Sequence, residues 1–208
     1  MQNVVIRAIE RLDFRTKEAY KTLRTNLSFA GKNVKVISLT SCTPNEGKTS
    51  VSFQLCLSLA ESGKQTILVD ADLRKSVLRG RYKANREKYG LSHYLSGQVE
   101  LDDACCRTNV NNFDIIFAGP VPPNPSELLG GDAFRNMLEV LRMKYDYVIV
   151  DTPPLGSVID AAIVGAICDG TVIVVESGAI SYKFVQNVKE QLNKVGCRIL
   201  GCVLNKAQ

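Results

Sequence analysis

Apolar positions along the chain fall into short unbroken runs, separated by stretches in which they recur every three or four places. Val34 to Leu39, Thr66 to Asp70, Phe113 to Phe117, Tyr147 to Asp151, Thr171 to Val175 and Arg198 to Leu204 read as six strands. Helical patterns cover 16–29, Thr49 to Leu59 with a close near Gly63, and then 132–144, 158–167 and 181–195. Continuous apolar strands alternating with helices predict an α/β domain, a mostly parallel sheet covered by helices on both faces. Ligands of such sheets sit at the carboxyl ends of the strands. The first helix, with Ala19, Leu23 and Leu27 at spacing four and charges between them, lies outside that unit.

Two segments break the rhythm. RKSVLRGRYKANREK, residues 74–88, is strongly basic. GPVPPNPSELLGG, residues 119–131, reads as a proline-dense surface loop, with Asn124 and Ser126 placed to cap the short turn SELL.

Composition narrows the class. A length of 208 residues with 45% hydrophobic and 23% charged content suits one domain spanning 1–208, with residues 1–30 as an N-terminal segment carrying the outlying helix. No apolar stretch approaches a membrane span and MQNVVIRAIERLDF lacks the apolar core of a signal peptide, so a soluble, cytoplasmic chain is expected. The seven cysteines form no C-x-x-C and there is one histidine, His93, which predicts reduced thiols and leaves no material for a zinc or iron–sulfur site. A metal would be held by oxygen.

The net charge is +5, and the run 74–88 holds seven of the 26 basic residues and one of the 21 acidic ones. Such a run is either a solvated, mobile loop or a contact for phosphates or an acidic peptide. Nucleic acid ranks low, because no aromatic ladder or recognition-helix pattern accompanies it.

The strongest chemical signal is LTSCTPNEGKTSVS at 39–52, a strand end, a loop and a helix start. Gly47, Lys48 and Thr49 match the end of the Walker A phosphate loop, in which backbone N–H groups and a helix N-terminus surround phosphates, lysine neutralises them and the hydroxyl binds Mg²⁺. Cys42 replaces the first glycine, and Asn45, tolerant of left-handed backbone, stands where glycine is common. Thr43, Asn45, Glu46, Gly47, Lys48, Thr49 and Ser50 are therefore candidate nucleotide-binding residues. The Lys48 ammonium is expected to face the ligand and to contribute nothing to the core.

Asp70 and Asp72 in ILVDADLR share one side if the strand continues through Ala71, and beside a phosphate site they could hold Mg²⁺ or accept a proton from an attacking hydroxyl. A plain strand-to-loop turn capped by Asp72 is the alternative. Asp151 ends the apolar strand YVIVD as a Walker B carboxylate does. Asn205, after the last strand, is either a purine-reading amide or a turn former.

Together these segments resemble the bacterial tyrosine kinases that accompany capsule and exopolysaccharide export, P-loop proteins with a second acidic motif like ILVDADLR. PPNPSELL at 122–129 fits, and Glu18, Lys21 and Arg24 are similar to the family's E-x-x-R-x-x-R oligomerisation motif with lysine in the middle. The resemblance runs over nearly the whole chain. It implies ATP-dependent tyrosine autophosphorylation, with Lys48 on the phosphates, Thr49, Asp72 and Asp151 around Mg²⁺, and Asp70, narrowly preferred over Asp72, as the base. It also implies a homo-oligomeric ring, a separate transmembrane co-polymerase as activator, and recruitment to the inner face of the cell membrane.

The family's tyrosine-rich tail is absent from this chain, whose last tyrosine is Tyr182, so Tyr82, Tyr89, Tyr94 and Tyr182 are the expected exposed acceptors, and Tyr20, Tyr145 and Tyr147 packing residues. Two other readings compete. A partition or septum-placement ATPase carries a lysine four places before the Walker glycine, where this chain has Thr43. A nucleotide-sensing scaffold would bind ATP without phosphate transfer.

Overall fold

The computed structural model describes residues 1–85 and 88–207. Two positions of the basic run, Arg86 and Glu87, lie outside the described residues, as does Gln208. All six expected strands form: β2 (Val36–Ser41), β3 (Thr66–Asp70), β5 (Phe113–Ile116), β6 (Tyr147–Asp151), β7 (Gly170–Glu176) and β8 (Ile199–Asn205). Two more, β1 (Gln2–Val4) and β4 (Cys106–Thr108), are three residues each, too short to leave a periodic pattern. The sheet order is β1-β4-β5-β3-β6-β2-β7-β8, and every pair is parallel except β4 with β5. The mostly parallel sheet predicted by the apolar runs is therefore present, with one antiparallel pairing toward an edge.

The central strands are buried on both faces because helices cover both. On one face α2 (Lys48–Glu61) packs with α1 (Phe14–Phe29) behind it, and residues 51–60 of α2 are all buried. The inward side of α1 is Tyr20, Leu23 and the buried Leu27. Ala19, expected on that stripe, is exposed, because the helix turns the larger apolar surface of Tyr20 to the core instead. Asp13 caps α1 by accepting from Thr16 N at 2.8 Å. On the other face α7 (Asp132–Lys144) buries Phe134, Met137, Leu138 and Leu141 at helical spacing. Next to it α8 (Asp160–Gly165) and α9 (Tyr182–Lys194) enclose a third apolar cluster that includes Cys42.

Short helices fill the irregular segments: α3 (Leu78–Arg81), α4 (Leu91–Leu95), α5 (Leu101–Ala104) and α6 (Pro125–Gly130). The described part of 74–88 is anchored rather than wholly solvated, since Leu78 is buried in α3 and Tyr82 stacks on Phe53 of α2, ring centroids 3.6 Å apart at 14°. Tyr82, expected as an exposed acceptor, is 4% exposed, because the gain from this aromatic packing outweighs keeping its hydroxyl in water. Tyr182 is fully on the surface, and Tyr89 and Tyr94 are half-buried. Tyr145 packs inward as expected and donates its hydroxyl to Asp114 Oδ2 at 2.8 Å. Among the described residues no helix is long and apolar enough to cross a membrane.

Candidate active site

The strand order β3-β6-β2 puts three carboxyl ends side by side. Asp70 pairs in register with Asp151, and Leu39 of β2 pairs with Asp151 from the other side. The phosphate loop leaves β2 at this point, so the loop and both strand-end aspartates converge without any long-range reach by a side chain.

Two left-handed residues shape the loop. Asn45 has φ 69°, as its residue type suggested, and Gly47 has φ 87° at the N-cap of α2. A Cβ on Gly47 would also lie 2.1 Å from Asn205 Nδ2. Asn205 donates from that nitrogen to Glu46 O at 2.8 Å, and Lys206 donates to Asn45 O at 3.0 Å, so the end of β8 braces the loop from outside. Glu46 braces it from inside: 1% exposed, its carboxylate accepts from Cys42 N, Thr43 N and, at 2.7 Å, from Thr43 Oγ1. Glu46 and Thr43 thus spend their side chains on each other and on the loop backbone. The loop, the α2 N-terminus, Asp72, Arg74, Lys75, Arg81 and Pro153-Pro154 enclose a cavity of about 260 Å³. A 14-residue helix with its N-terminus at such a cavity favours an anion there.

Lys48, expected to face the ligand and to add nothing to the core, lines this cavity and is also tied to Asp151. Its side chain is 7% exposed, and Nζ lies 2.7 Å from Asp151 Oδ1. Asp151 also accepts from Thr49 Oγ1 at 2.7 Å and Ser52 Oγ at 2.8 Å. A carboxylate 1% exposed needs such partners, because an unpaired buried charge is costly. Ser52, one helical turn after Lys48, was not singled out by the motif.

The two aspartates of ILVDADLR part company. β3 ends at Asp70, so the strand does not continue through Ala71. The chain turns, and Asp72 N comes back to Asp70 Oδ1 at 3.3 Å. Asp70 is 1% exposed, and burial with the nearby Asp151 charge raises its pKa to about 7, against opposing effects of Ser76 and Lys48. Ser76 donates its hydroxyl to Asp70 Oδ2 in a short hydrogen bond. Asp72 lines the cavity and also caps its turn, accepting from Lys75 N at 2.9 Å, so both readings of that residue hold.

Arg74 explains the proline-rich loop. Its guanidinium grips Asp160 with Nε at 2.7 Å and Nη2 at 3.1 Å, and Nη2 donates to Ser126 Oγ at 2.8 Å. Ser126 in turn donates to Asp160 Oδ1 at 2.7 Å. Ser126 therefore does not cap α6, where Asn124 makes no side-chain cap bond and Pro125 takes the first helical position. Asp160 is fully buried, yet its pKa is lowered because the Arg74 and Ser126 bonds outweigh desolvation. The signal for Asp160 was legible in principle: it is the one charge in the apolar run LGSVIDAAIVGAI.

Thr49, Asp151 and Asp72 offer hard oxygens, which suits Mg²⁺. No group of three or more His, Cys, Asp or Glu side chains gathers among the described residues. The fold and loop make this a nucleotide-binding site.

Comparison with known proteins narrows the class. A family model described as an AAA domain matches residues 34–200. Tyrosine-protein kinase CpsD of Streptococcus agalactiae is 44% identical over 192 residues, covering 92% of this chain and 84% of that protein. The kinase domain of Escherichia coli tyrosine kinase ETK superposes with a TM-score of 0.87 at 33% identity, over 100% of this chain and 92% of that one. The cell division ATPase MinD of Pyrococcus furiosus is more distant, with TM-score 0.69 and 26% identity over 82% of this chain and 71% of that one. The extent and identity of the first two matches place the chain in the bacterial tyrosine-protein kinase family.

Proposed function

We propose that this chain transfers the γ-phosphate of Mg²⁺-ATP to tyrosine hydroxyls, in the service of capsule or exopolysaccharide export. The observation that carries the reading is the second acidic pair: besides the Lys48, Thr49 and Asp151 set common to P-loop proteins, Asp70 ends the neighbouring strand bonded to Ser76, and Asp72 lines the nucleotide cavity, accepting from Arg74 N and Lys75 N. Lys48 and the loop amides of Asn45 to Ser50 neutralise the phosphates. Thr49, Asp72 and Asp151 would hold Mg²⁺, which would supply further positive charge to the phosphates. The tyrosyl oxygen bonds to the γ-phosphorus as the bridging bond to the β-phosphate breaks, ADP leaves, and Asp70 takes the phenolic proton. A carboxyl with pKa about 7 is poised for that exchange near neutral pH. The Ser76 hydroxyl occupies the place against Asp70 Oδ2 that the acceptor hydroxyl takes over in the reaction.

Asn205 supports the loop through Glu46, and in this reading its amide also meets the base of the nucleotide. Glu18, Lys21 and Arg24 build a weak head-to-tail ring, and a membrane protein activates the kinase and recruits it to the inner membrane face. Against the ATPase reading stands Thr43, tied into the loop by Glu46 where that class uses a lysine. Labelled ATP with wild-type, Asp70→Asn and Asp72→Asn chains tests the reading. Wild type should label protein on tyrosine, and each variant should bind ATP and transfer at least about a hundredfold less. Equal labelling by all three would overturn the assignment of the acidic pair.

A further inference from the structure

The basic run 74–88 is only partly accounted for by the Arg74 lock and the acidic pair. Three of its cations, Arg74, Lys75 and Arg81, line the nucleotide cavity together with Lys48. Lys48 is bound to the buried Asp151 and Arg74 to the buried Asp160, so their charges are already matched. Lys75 and Arg81 have no carboxylate partner among the described residues. Of these two, Arg81 is the one that the fold holds in place. Its Nη1 donates to Ser50 Oγ at 2.9 Å, and Ser50 is the third residue of α2, next after Thr49. The same side of α2 presents Phe53, three residues on, to the ring of Tyr82, which follows Arg81 in the chain. Two contacts thus fasten α3 along the start of α2. From behind, Leu78 is buried, and Arg7 N and Ala8 N donate to Tyr82 O at 3.2 and 3.1 Å. The Ser50 hydroxyl takes one N–H of the guanidinium and offsets none of its charge. An exposed arginine with donors to spare is therefore fixed beside the helix N-terminus, where an anion is favoured.

We propose that Arg81 is a nucleotide-contacting residue, whose guanidinium binds the phosphate chain of ATP in addition to Lys48 and the loop amides. The inference rests on the reading of this cavity as the ATP site, and it adds a residue that the Walker pattern does not contain. A phosphate oxygen joins or replaces Ser50 Oγ as the acceptor. The planar fork of arginine can hold a phosphate through two N–H groups, where lysine supplies only a point charge. Arg81 is tied to Ser50 on α2 and not to Asp70, where the acceptor hydroxyl is deprotonated. The contact therefore strengthens the bound nucleotide and the transition state alike, and its loss belongs in the KM for ATP rather than in kcat.

The test uses the full chain with Mg²⁺ and a fluorescent ADP, displaced in turn by a non-hydrolysable ATP analogue, by ADP and by inorganic tripolyphosphate. Four chains are compared: wild type, Arg81→Met, Arg81→Lys and Lys83→Gln. Arg81→Met keeps an unbranched stem and removes the charge, and it should weaken all three competitors about tenfold. Tripolyphosphate has no base or ribose, so an equal loss there assigns the contact to the phosphates. Arg81→Lys should recover part of the binding. Lys83 is an exposed cation of the same segment that does not line the cavity, and Lys83→Gln should change binding by less than about twofold. The urea midpoint of Arg81→Met should match that of wild type, which a mere brace for α3 would lower. Undiminished binding by Arg81→Met, an equal loss in Lys83→Gln, or a loss accompanied by a lowered urea midpoint overturns the inference and leaves the ATP site standing. A wild-type chain that binds none of the three overturns the ATP-site reading and the inference with it. Binding decides the matter even where no tyrosine is labelled, so this inference and tyrosine transfer fail separately.

Discussion

Replacing Asp70 by Asn should stabilise the metal-free protein above neutral pH while abolishing its activity. Burial and the Asp151 charge raise the Asp70 carboxyl from 3.8 to about 7. In that interval the folded chain keeps a proton that the unfolded chain has released, so stability from this group is full below about pH 4 and falls as pH rises to about 7. Each pH unit removes about 1.4 kcal/mol, so the ionised carboxylate costs the fold up to about 4 kcal/mol at pH 8. Relaxation and water entry lower the figure, and about 2 kcal/mol is a reasonable minimum to expect. Asn has the same shape, can still bond Ser76, and carries no charge. Urea unfolding with chelator should show Asp70→Asn about 2–4 kcal/mol more stable than wild type at pH 8, with the two curves meeting near pH 4. Equal pH slopes for both proteins, or a variant less stable at pH 8, would refute the claim that a buried, strained charge sits at this strand end.

Lys48→Met should abolish transfer and also lower stability by about 3 kcal/mol, since it strips the cation from a buried ion pair; an unchanged melting temperature would show that Asp151 does not need Lys48. Arg74→Ala and Asp160→Asn should be strongly non-additive, because both break one lock; a double-mutant cycle on transfer rate with no coupling would separate them. Ring formation through Glu18, Lys21 and Arg24 should be weak and salt-sensitive. Glu18 and Lys21 already pair within the helix at 2.7 Å, and Arg24 donates to Ser58 O at 2.7 Å in its own subunit. Sedimentation showing only monomer at high concentration and low salt would contradict it.

The parts legible in the sequence were those with a repeat or a fixed spacing. Apolar runs such as YVIVD announced the central strands, and Gly47-Lys48-Thr49 between strand and helix announced the phosphate loop. Partnerships between distant residues were not legible. Nothing near Asp160 or Ser126 in the chain reveals that Arg74 will bridge them, 86 and 52 residues away. The inward turn of Lys48 depends on Asp151, 103 residues on, and the burial of Tyr82 depends on Phe53 being presented by α2. The split between Asp70 and Asp72 has a local cause: period-two geometry applies only while the strand lasts, and β3 stops one residue before it would have aligned them.

The most direct test of tyrosine transfer is phosphosite mapping after the purified chain is incubated with Mg²⁺ and γ-labelled ATP, with and without the proposed membrane activator. Labelled phosphate on tyrosine, absent from the Lys48→Met chain, is the predicted result. Free phosphate released at a comparable rate with no label on any tyrosine would contradict it and leave an ATPase in its place.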